Sequence, residues 1–191
     1  MKYKHLSIFV FALLLMSSQI MNAADITKAE NFTLKDYNGK EHNLKDFKDS
    51  KAIVIMFIAT RCPVSNSYNE RMEKLYEKYS GKNVTFLGIN SNKEENVEEI
   101  KKHASENGLD FPILKDPGNK VADEFGASHT PEIYVLNSDN EVLYHGRIDD
   151  SMDEKEVTSN DLENALDEIL AGKKVIVSQT KAFGCSIKRV E

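Results

Sequence analysis

Phe57-Ile58-Ala59-Thr60-Arg61-Cys62-Pro63-Val64-Ser65 decides how this chain folds. The apolar run from Ala52 to Ile58 has the residue types of a buried strand, and it ends abruptly at Thr60, Arg61 and Cys62. Pro63 follows at once, and a helical pattern begins beyond it. A strand that delivers a thiol to the first turn of a helix sets sulfur beside unpaired backbone N–H groups, which favour thiolate over thiol. Pro63 suits that place, because a first-turn residue has no N–H partner to lose. A buried cysteine that merely packs is the plainer reading of Cys62. Arg61 and the polar Ser65 beside it speak for chemistry.

Downstream of this stretch, Val64, Tyr68, Met72, Leu75 and Tyr79 recur at intervals of three and four, so one amphipathic helix is predicted, with Gly81 as its stop. Val84 to Ile89 is a second apolar strand. Strand, helix and strand make a βαβ unit with parallel pairing. Glu94 to Glu106 is predicted as a helix whose charges form a solvated face. Phe111 to Leu114 reads as a short strand, and Asn119 to Phe125 as a short helix. Glu132 to Leu136 and Val142 to Ile148 are strands around the turn 137–140. Thr158 or Ser159 is expected to cap a last helix with Leu162, Ala165, Leu166, Ile169 and Leu170 inward. Upstream, Asn31 to Asp46 reads as a hairpin on the two-residue turn Asn38-Gly39. The chain is thus α/β, with a mixed central sheet flanked by helices and an N-terminal β-hairpin extension.

The 191 residues, 40% of them hydrophobic, suffice for one domain with a sizeable core. A net charge of −6 argues against a nucleic-acid partner. Lys2 and Lys4 precede the apolar run Leu6 to Met16, and small or polar residues lead to Ala23 and Ala24, the three-part form of a signal peptide. That run is short for a bilayer, so no lasting membrane anchor is expected. The expected layout is a signal peptide over 1–23, a domain over 24–172 and a tail over 173–191 that carries Cys185. The mature chain is expected to be exported, periplasmic or secreted. In such an oxidising compartment Cys62 and Cys185 are able to form a disulfide, either as a static staple or as a working pair.

The Cys62 stretch resembles the active-site segment of the thioredoxin superfamily, Phe-x-Ala-x-x-Cys-x-x-Cys. Phe57, Ala59 and Cys62 stand in its first three fixed places, and Ser65 stands in the fourth. The resemblance covers most of the chain after residue 24 and is nearest to the peroxiredoxin-like proteins of the AhpC/TSA (redoxin) group. It implies a thioredoxin-like sandwich. Peroxiredoxins place a Thr three residues before the peroxide-reacting Cys, whereas Thr60 is two residues before Cys62, so Cys62 matches the first cysteine of the thioredoxin motif. The resemblance also carries a cis-proline role to Pro131, with Thr130 before it offering backbone groups to an extended substrate. With Ser65 in place of a second motif cysteine, resolution of a mixed disulfide falls to Cys185, to a second protein or to a small thiol. Cys185 sits in Gly184-Cys185-Ser186-Ile187-Lys188, an ending that resembles the tails of redoxin proteins. A tail thiol without function is the other reading of it.

An ordinary thiol with a pKa of about 8.5 needs a shift of about 1.5 units, roughly 2 kcal/mol, to be half ionised at pH 7. A helix N-terminus supplies about 0.3–1 kcal/mol. Arg61 and Ser65 are the supporting residues expected to add to it, and Lys188 and Arg189 stand beside Cys185 in the same way. Of the histidines, His42 and His103 are expected in polar, exposed surroundings, while His129 precedes Thr130-Pro131 and lies within possible reach of Cys62. The acidic run Asp149, Asp150, Asp153, Glu154 and Glu156 lacks calcium-loop spacing and reads as a solvated loop.

The expected activity is therefore thiol–disulfide exchange or antioxidant chemistry through Cys62, with Cys185 as candidate resolving thiol and Thr130 and Pro131 as substrate-binding residues. No cofactor and no metal is expected. The substrate is a protein or small-molecule disulfide, or a peroxide, and an external thiol is the reductant. The competing reading is a thioredoxin-fold binding module that captures protein or a soft metal without turnover.

Overall fold

The computed structural model describes residues 26–190. The segment read as a signal peptide, 1–23, lies outside the described residues. Strands β1 (Thr33–Asp36) and β2 (Glu41–Asn43) form the hairpin, followed by a 3-10 turn at Leu44–Phe47. Then come β3 (Ala52–Phe57), α1 (Pro63–Asn66), α2 (Asn69–Ser80), β4 (Val84–Asn90), α3 (Val97–Asn107), β5 (Ile113–Lys115) and α4 (Lys120–Phe125). The chain continues through β6 (His129–Thr130), β7 (Glu132–Leu136), β8 (Val142–Gly146), α5 (Asp161–Leu170) and β9 (Cys185–Ser186).

Seven strands form one mixed sheet in the order β2-β1-β5-β4-β3-β7-β8, and β6 pairs with β9 in a separate two-stranded ribbon. β3 lies parallel to β4 and antiparallel to β7, so it is hydrogen-bonded on both edges. Its side chains alternate between two cores, as the period of a strand requires. Ala52, Val54 and Met56 face the layer of α2, α3 and α5, where Met72, Leu75, Ile100, Ala104, Leu162 and Leu166 are buried. Ile53, Ile55 and Phe57 face the opposite layer, built from α4, the N-terminal segment and Tyr134. A run apolar at every position is what a strand covered on both faces needs. The thioredoxin-like α/β sandwich with its mixed sheet is present as expected. Among the described residues no helix is long and apolar enough to cross a membrane.

Several local expectations are revised. The hairpin turn holds three residues, Tyr37, Asn38 and Gly39, because the Asp36 carboxylate accepts the Asn38 and Lys40 N–H groups at 2.8 and 3.0 Å. Gly39 takes the positive φ of +83° that closes such a loop. Asp36 also accepts from or pairs with His42 Nε2 at 2.9 Å, so His42 is buried and not exposed. His103 is half-buried against Asn69 and Asn107. The single helix expected after Pro63 is broken at Ser67 and Tyr68, where the Ser67 hydroxyl donates back to the Val64 carbonyl at 2.7 Å and bends the chain. β5 begins after Pro112, which has no N–H to give the ladder. α5 starts after Asn160, since the Thr158 hydroxyl is taken by Asp150 and the Ser159 hydroxyl by Asp161.

Asp149 does not belong to a solvated loop. It is buried, and its carboxylate accepts from Arg71 Nη1 at 2.5 Å and from the Tyr68 hydroxyl at 3.0 Å. The Arg71 guanidinium also lies 3.8 Å from the centre of the Tyr68 ring. This buried knot fastens the start of α2 to the loop that follows β8.

Candidate functional site

β3 ends one residue short of the loop that carries the thiol, and the Ile58 N–H still reaches the Ile89 carbonyl at 3.0 Å. Cys62 then caps α1 with an extended backbone, and Pro63 stands at the first helical position. The Ser65 N–H points at Cys62 Sγ across 3.3 Å. This is the orphan first-turn donor that the sequence called for. The Ser65 hydroxyl turns the other way and accepts the Ala59 N–H at 3.2 Å, so Ser65 acts on the sulfur through its backbone and on the loop through its side chain. Arg61 is exposed, and its guanidinium makes a two-pronged pair with Glu99 at 2.7 Å on each arm. Its charge is spent on α3 and not on the sulfur.

Cys62 is joined to Cys185 by a disulfide with Cα atoms 5.9 Å apart. Cys62 is buried and Cys185 is half-exposed. The Thr130–Pro131 peptide bond is cis, and the Thr130 carbonyl oxygen lies 3.2 Å from Cys62 Sγ. Thr130 is buried, and its hydroxyl has no hydrogen-bond partner among the described residues. Cys62, Cys185, Thr130 and Pro131 thus meet at one place. His129 enters this place only with its backbone. Its ring is half out in solvent, with Nδ1 2.8 Å from the Ser128 hydroxyl. Among the described residues no group of three His, Cys, Asp or Glu side chains is placed to hold a metal ion.

The tail does not hang free after α5. The Thr180 N–H donates to the His145 carbonyl and the His145 N–H to the Ser178 carbonyl, both at 2.9 Å, which lays the tail along the outer edge of β8. β9 then pairs antiparallel with β6, matching Cys185 to Thr130 and Ser186 to His129. Ile187 is buried in the α4-side core, and its N–H donates to the Ser128 carbonyl at 3.0 Å. Lys188 is held through its backbone, its N–H by Asn92 Oδ1 at 2.7 Å and its carbonyl by the Lys93 N–H at 2.9 Å. The Arg189 guanidinium pairs with Asp123.

Two buried carboxylates shape the loops around the sulfurs, and neither belongs to the cysteine or cis-proline motif. Glu95 accepts the N–H groups of Thr60 and Arg61 at 2.7 and 3.3 Å, together with side-chain amides of Asn90 and Asn92. It falls within the stretch 94–106 that periodicity predicts as a helix with a solvated face. That helix begins only at Val97, after Asn96, whose side chain accepts the Glu99 N–H at 2.9 Å. The pattern Asn96-x-x-Glu99 is the signal that would have set Glu95 outside the helix. Lys115, half-buried beside this group, donates to Asn90 and Asn92, and burial lowers its pKa against the pull of Glu95, Asp116 and Glu99.

Glu132 opens β7 and accepts the N–H groups of Ser128 and His129 at 2.7 and 2.9 Å. Its other oxygen meets His145 Nε2 at 2.8 Å. Burial pushes the Glu132 carboxyl up, but His145 and the two backbone donors outweigh it and leave its pKa below the ordinary glutamate value. An acidic residue heading an otherwise apolar strand was the available signal, because a buried charge needs such partners.

A profile of the AhpC/TSA family matches residues 26–145. The thiol-disulfide oxidoreductase ResA of Halalkalibacterium halodurans is 30% identical over 116 residues, which are 61% of this chain and 64% of that protein. The chain therefore matches somewhat less than two thirds of that relative's length. A hypothetical protein of Sinorhizobium meliloti 1021 has a solved structure with a TM-score of 0.80 and 36% identity, over 86% of this chain and 93% of the other. An uncharacterized conserved protein of Geobacillus kaustophilus gives a TM-score of 0.81 and 34% identity, over 88% and 94%.

Proposed function

Since the chain belongs to the AhpC/TSA family, we propose that it is a thiol–disulfide oxidoreductase in which Cys62 is the exchanging thiol and Cys185 the resolving one. The observation that carries this reading is the bond between the first-turn Cys62 and a cysteine on a paired tail strand, beside the Thr130 carbonyl.

In the bridged form Cys185 is the more exposed of the two cysteines. A cavity of about 180 Å³ between Arg61, Glu94, Ser186 and Lys188 leads to the pair. The thiolate of an external reductant attacks the Cys185 sulfur, the Cys62–Cys185 bond breaks, and Cys62 departs as a thiolate held by the Ser65 N–H. A second reductant thiolate then attacks the reductant's own sulfur in that adduct and frees Cys185. In the other half of the cycle, Cys62 attacks a substrate disulfide and one half of the substrate leaves as a thiolate. Cys185 next attacks the Cys62 sulfur, which releases the second half and restores the bridge. Two electrons pass from the reductant to the substrate. The substrate is a protein or small-molecule disulfide, and the work takes place outside the cytoplasm, where the N-terminal pattern of Lys2, Lys4 and Leu6 to Met16 would send the chain.

The test is mass mapping of both cysteines before and after dithiothreitol, coupled to turnover of a disulfide substrate by wild type and by Cys62→Ala. The expected result is a bridge that opens reversibly and turnover that vanishes in the variant. Unchanged behaviour of Cys62→Ala would instead favour the capture module.

A further inference from the structure

The tail is bound to the site as a foreign peptide would have to be. A polypeptide that takes the tail's place at Cys62 in the same register sets its own cysteine where Cys185 sits and runs its backbone along the edge of β6. Three features of the resident segment are then requirements on the visitor. Gly184 has a φ of +154°, and a Cβ built on it would collide with the Thr130 carbonyl oxygen, so the residue before the cysteine must be glycine. The residue two places after the cysteine must be aliphatic, because Ile187 is buried in the core shared with Phe57, Val121 and Phe125. Its N–H must be free to meet the Ser128 carbonyl, which excludes proline there. Ser186, between them, is exposed and leaves its place open to other side chains.

We propose that the edge of β6 selects extended segments reading Gly-Cys-x-aliphatic, the pattern of the tail that occupies it in the bridged form. The inference rests on disulfide exchange at Cys62 and adds the class of polypeptide that enters. Opening of the Cys62–Cys185 bond lets the tail strand leave. The visiting segment pairs with β6, its disulfide is attacked by the Cys62 thiolate, and a new bond from Cys62 to the visitor's cysteine forms as the visitor's former partner departs as a thiolate. Return of the tail strand then does two things at once. It brings the Cys185 thiolate to the Cys62 sulfur and takes back the backbone partners of the visitor, which leaves with a free thiol.

The probe is a synthetic peptide with the sequence of residues 182–189, its cysteine activated as a mixed disulfide with nitrothiobenzoate. The protein is the full-length Cys185→Ser variant, reduced. Transfer of the peptide to Cys62 is followed by release of the coloured thiolate and by mass. A second peptide carries alanine at the glycine position, and a third carries aspartate at the isoleucine position. The parent peptide is expected to transfer at least about tenfold faster than the alanine peptide, since a Cβ at that place meets the Thr130 carbonyl oxygen in a backbone conformation that glycine alone adopts readily. The aspartate peptide is expected to be slow as well. Equal rates for all three peptides, with a small aromatic disulfide also attacked, overturn the peptide site and leave exchange at Cys62 standing. No reaction with any peptide or with the small disulfide removes exchange itself, and the site with it. The converse arm keeps both cysteines and changes Gly184→Ala. It is expected to pile up mixed disulfides at Cys62 during turnover. Clearance at the wild-type rate overturns the role of the returning strand.

Discussion

Glu95 and Glu132 hold the two halves of the cysteine site by the same device. Each is a buried carboxylate that accepts two consecutive backbone N–H groups, Thr60 and Arg61 for Glu95, Ser128 and His129 for Glu132. One pair of amides leads into Cys62 and the other into Thr130-Pro131. Charge-assisted bonds in a region of low dielectric are strong, and two on successive amides fix a loop in direction as well as position. The loop that leads into the sulfur and the one that leads into the cis-proline turn are thus each tied down by a buried carboxylate.

Glu95→Ala is expected to strand its four N–H donors and to cost about 2–4 kcal/mol of stability, as removal of a charged acceptor from a buried group does. Urea unfolding of the oxidised protein checks this. Glu95→Gln should cost less, because the amide oxygen keeps part of the acceptor capacity.

Acid should loosen the other half. The folded pKa of Glu132 lies below its ordinary value of 4.5, since His145 and the backbone donors overcome burial. A depressed carboxyl contributes stability that is complete above the unfolded value and is lost as pH falls through the folded one. The expected loss therefore begins below pH 4.5. Glu132→Gln should be less stable than wild type at neutral pH, with a shallower fall of stability in the acid window. Thermal unfolding of both proteins across that range measures it, and parallel curves would show that Glu132 does not carry the effect.

The Cys62 thiol is expected to ionise below the free value of about 8.5, because the Ser65 N–H and the first turn of α1 face the sulfur. Alkylation rate against pH in Cys185→Ser isolates this thiol. Neutralising Glu99 by Glu99→Gln leaves the Arg61 charge uncompensated and should lower the midpoint further.

Asp149→Ala leaves the Arg71 guanidinium buried without its carboxylate and is expected to cost about 3–5 kcal/mol. Arg71→Met combined with Asp149→Leu should recover much of that loss, because the apolar pair leaves no buried charge. Denaturant midpoints of the single and double variants decide between the two outcomes.

The sheet was legible because its central strand is apolar at every position and its neighbours are bounded by glycine, proline and turn residues. Cys62 and Thr130-Pro131 were legible because local spacing and resemblance both mark them. What stayed hidden depends on partners far away in sequence. His42 and Asp149 read as exposed polar residues until Asp36 and Arg71 are seen to meet them. β9 is two residues long and shows no periodicity, so its pairing with β6 has no local signature. In sequence the charge of Arg61 stands nearest the Cys62 thiol, and Glu99 on α3 claims it in space.

The hold of Thr180 on His145 sets the odds of the whole exchange. If that contact persists when the bridge opens, Cys185 remains on a short leash, with a reach of about 12 Å for a flexible stretch of this length. A thiol so confined returns to Cys62 as though present at millimolar concentration, whatever the dilution of the protein. A visiting peptide at micromolar concentration is outnumbered about a thousandfold at the same edge. Capture is brief by mass action alone, and lengthening the leash with inserted Gly-Ser residues would turn a chain that releases its substrate into one that keeps it.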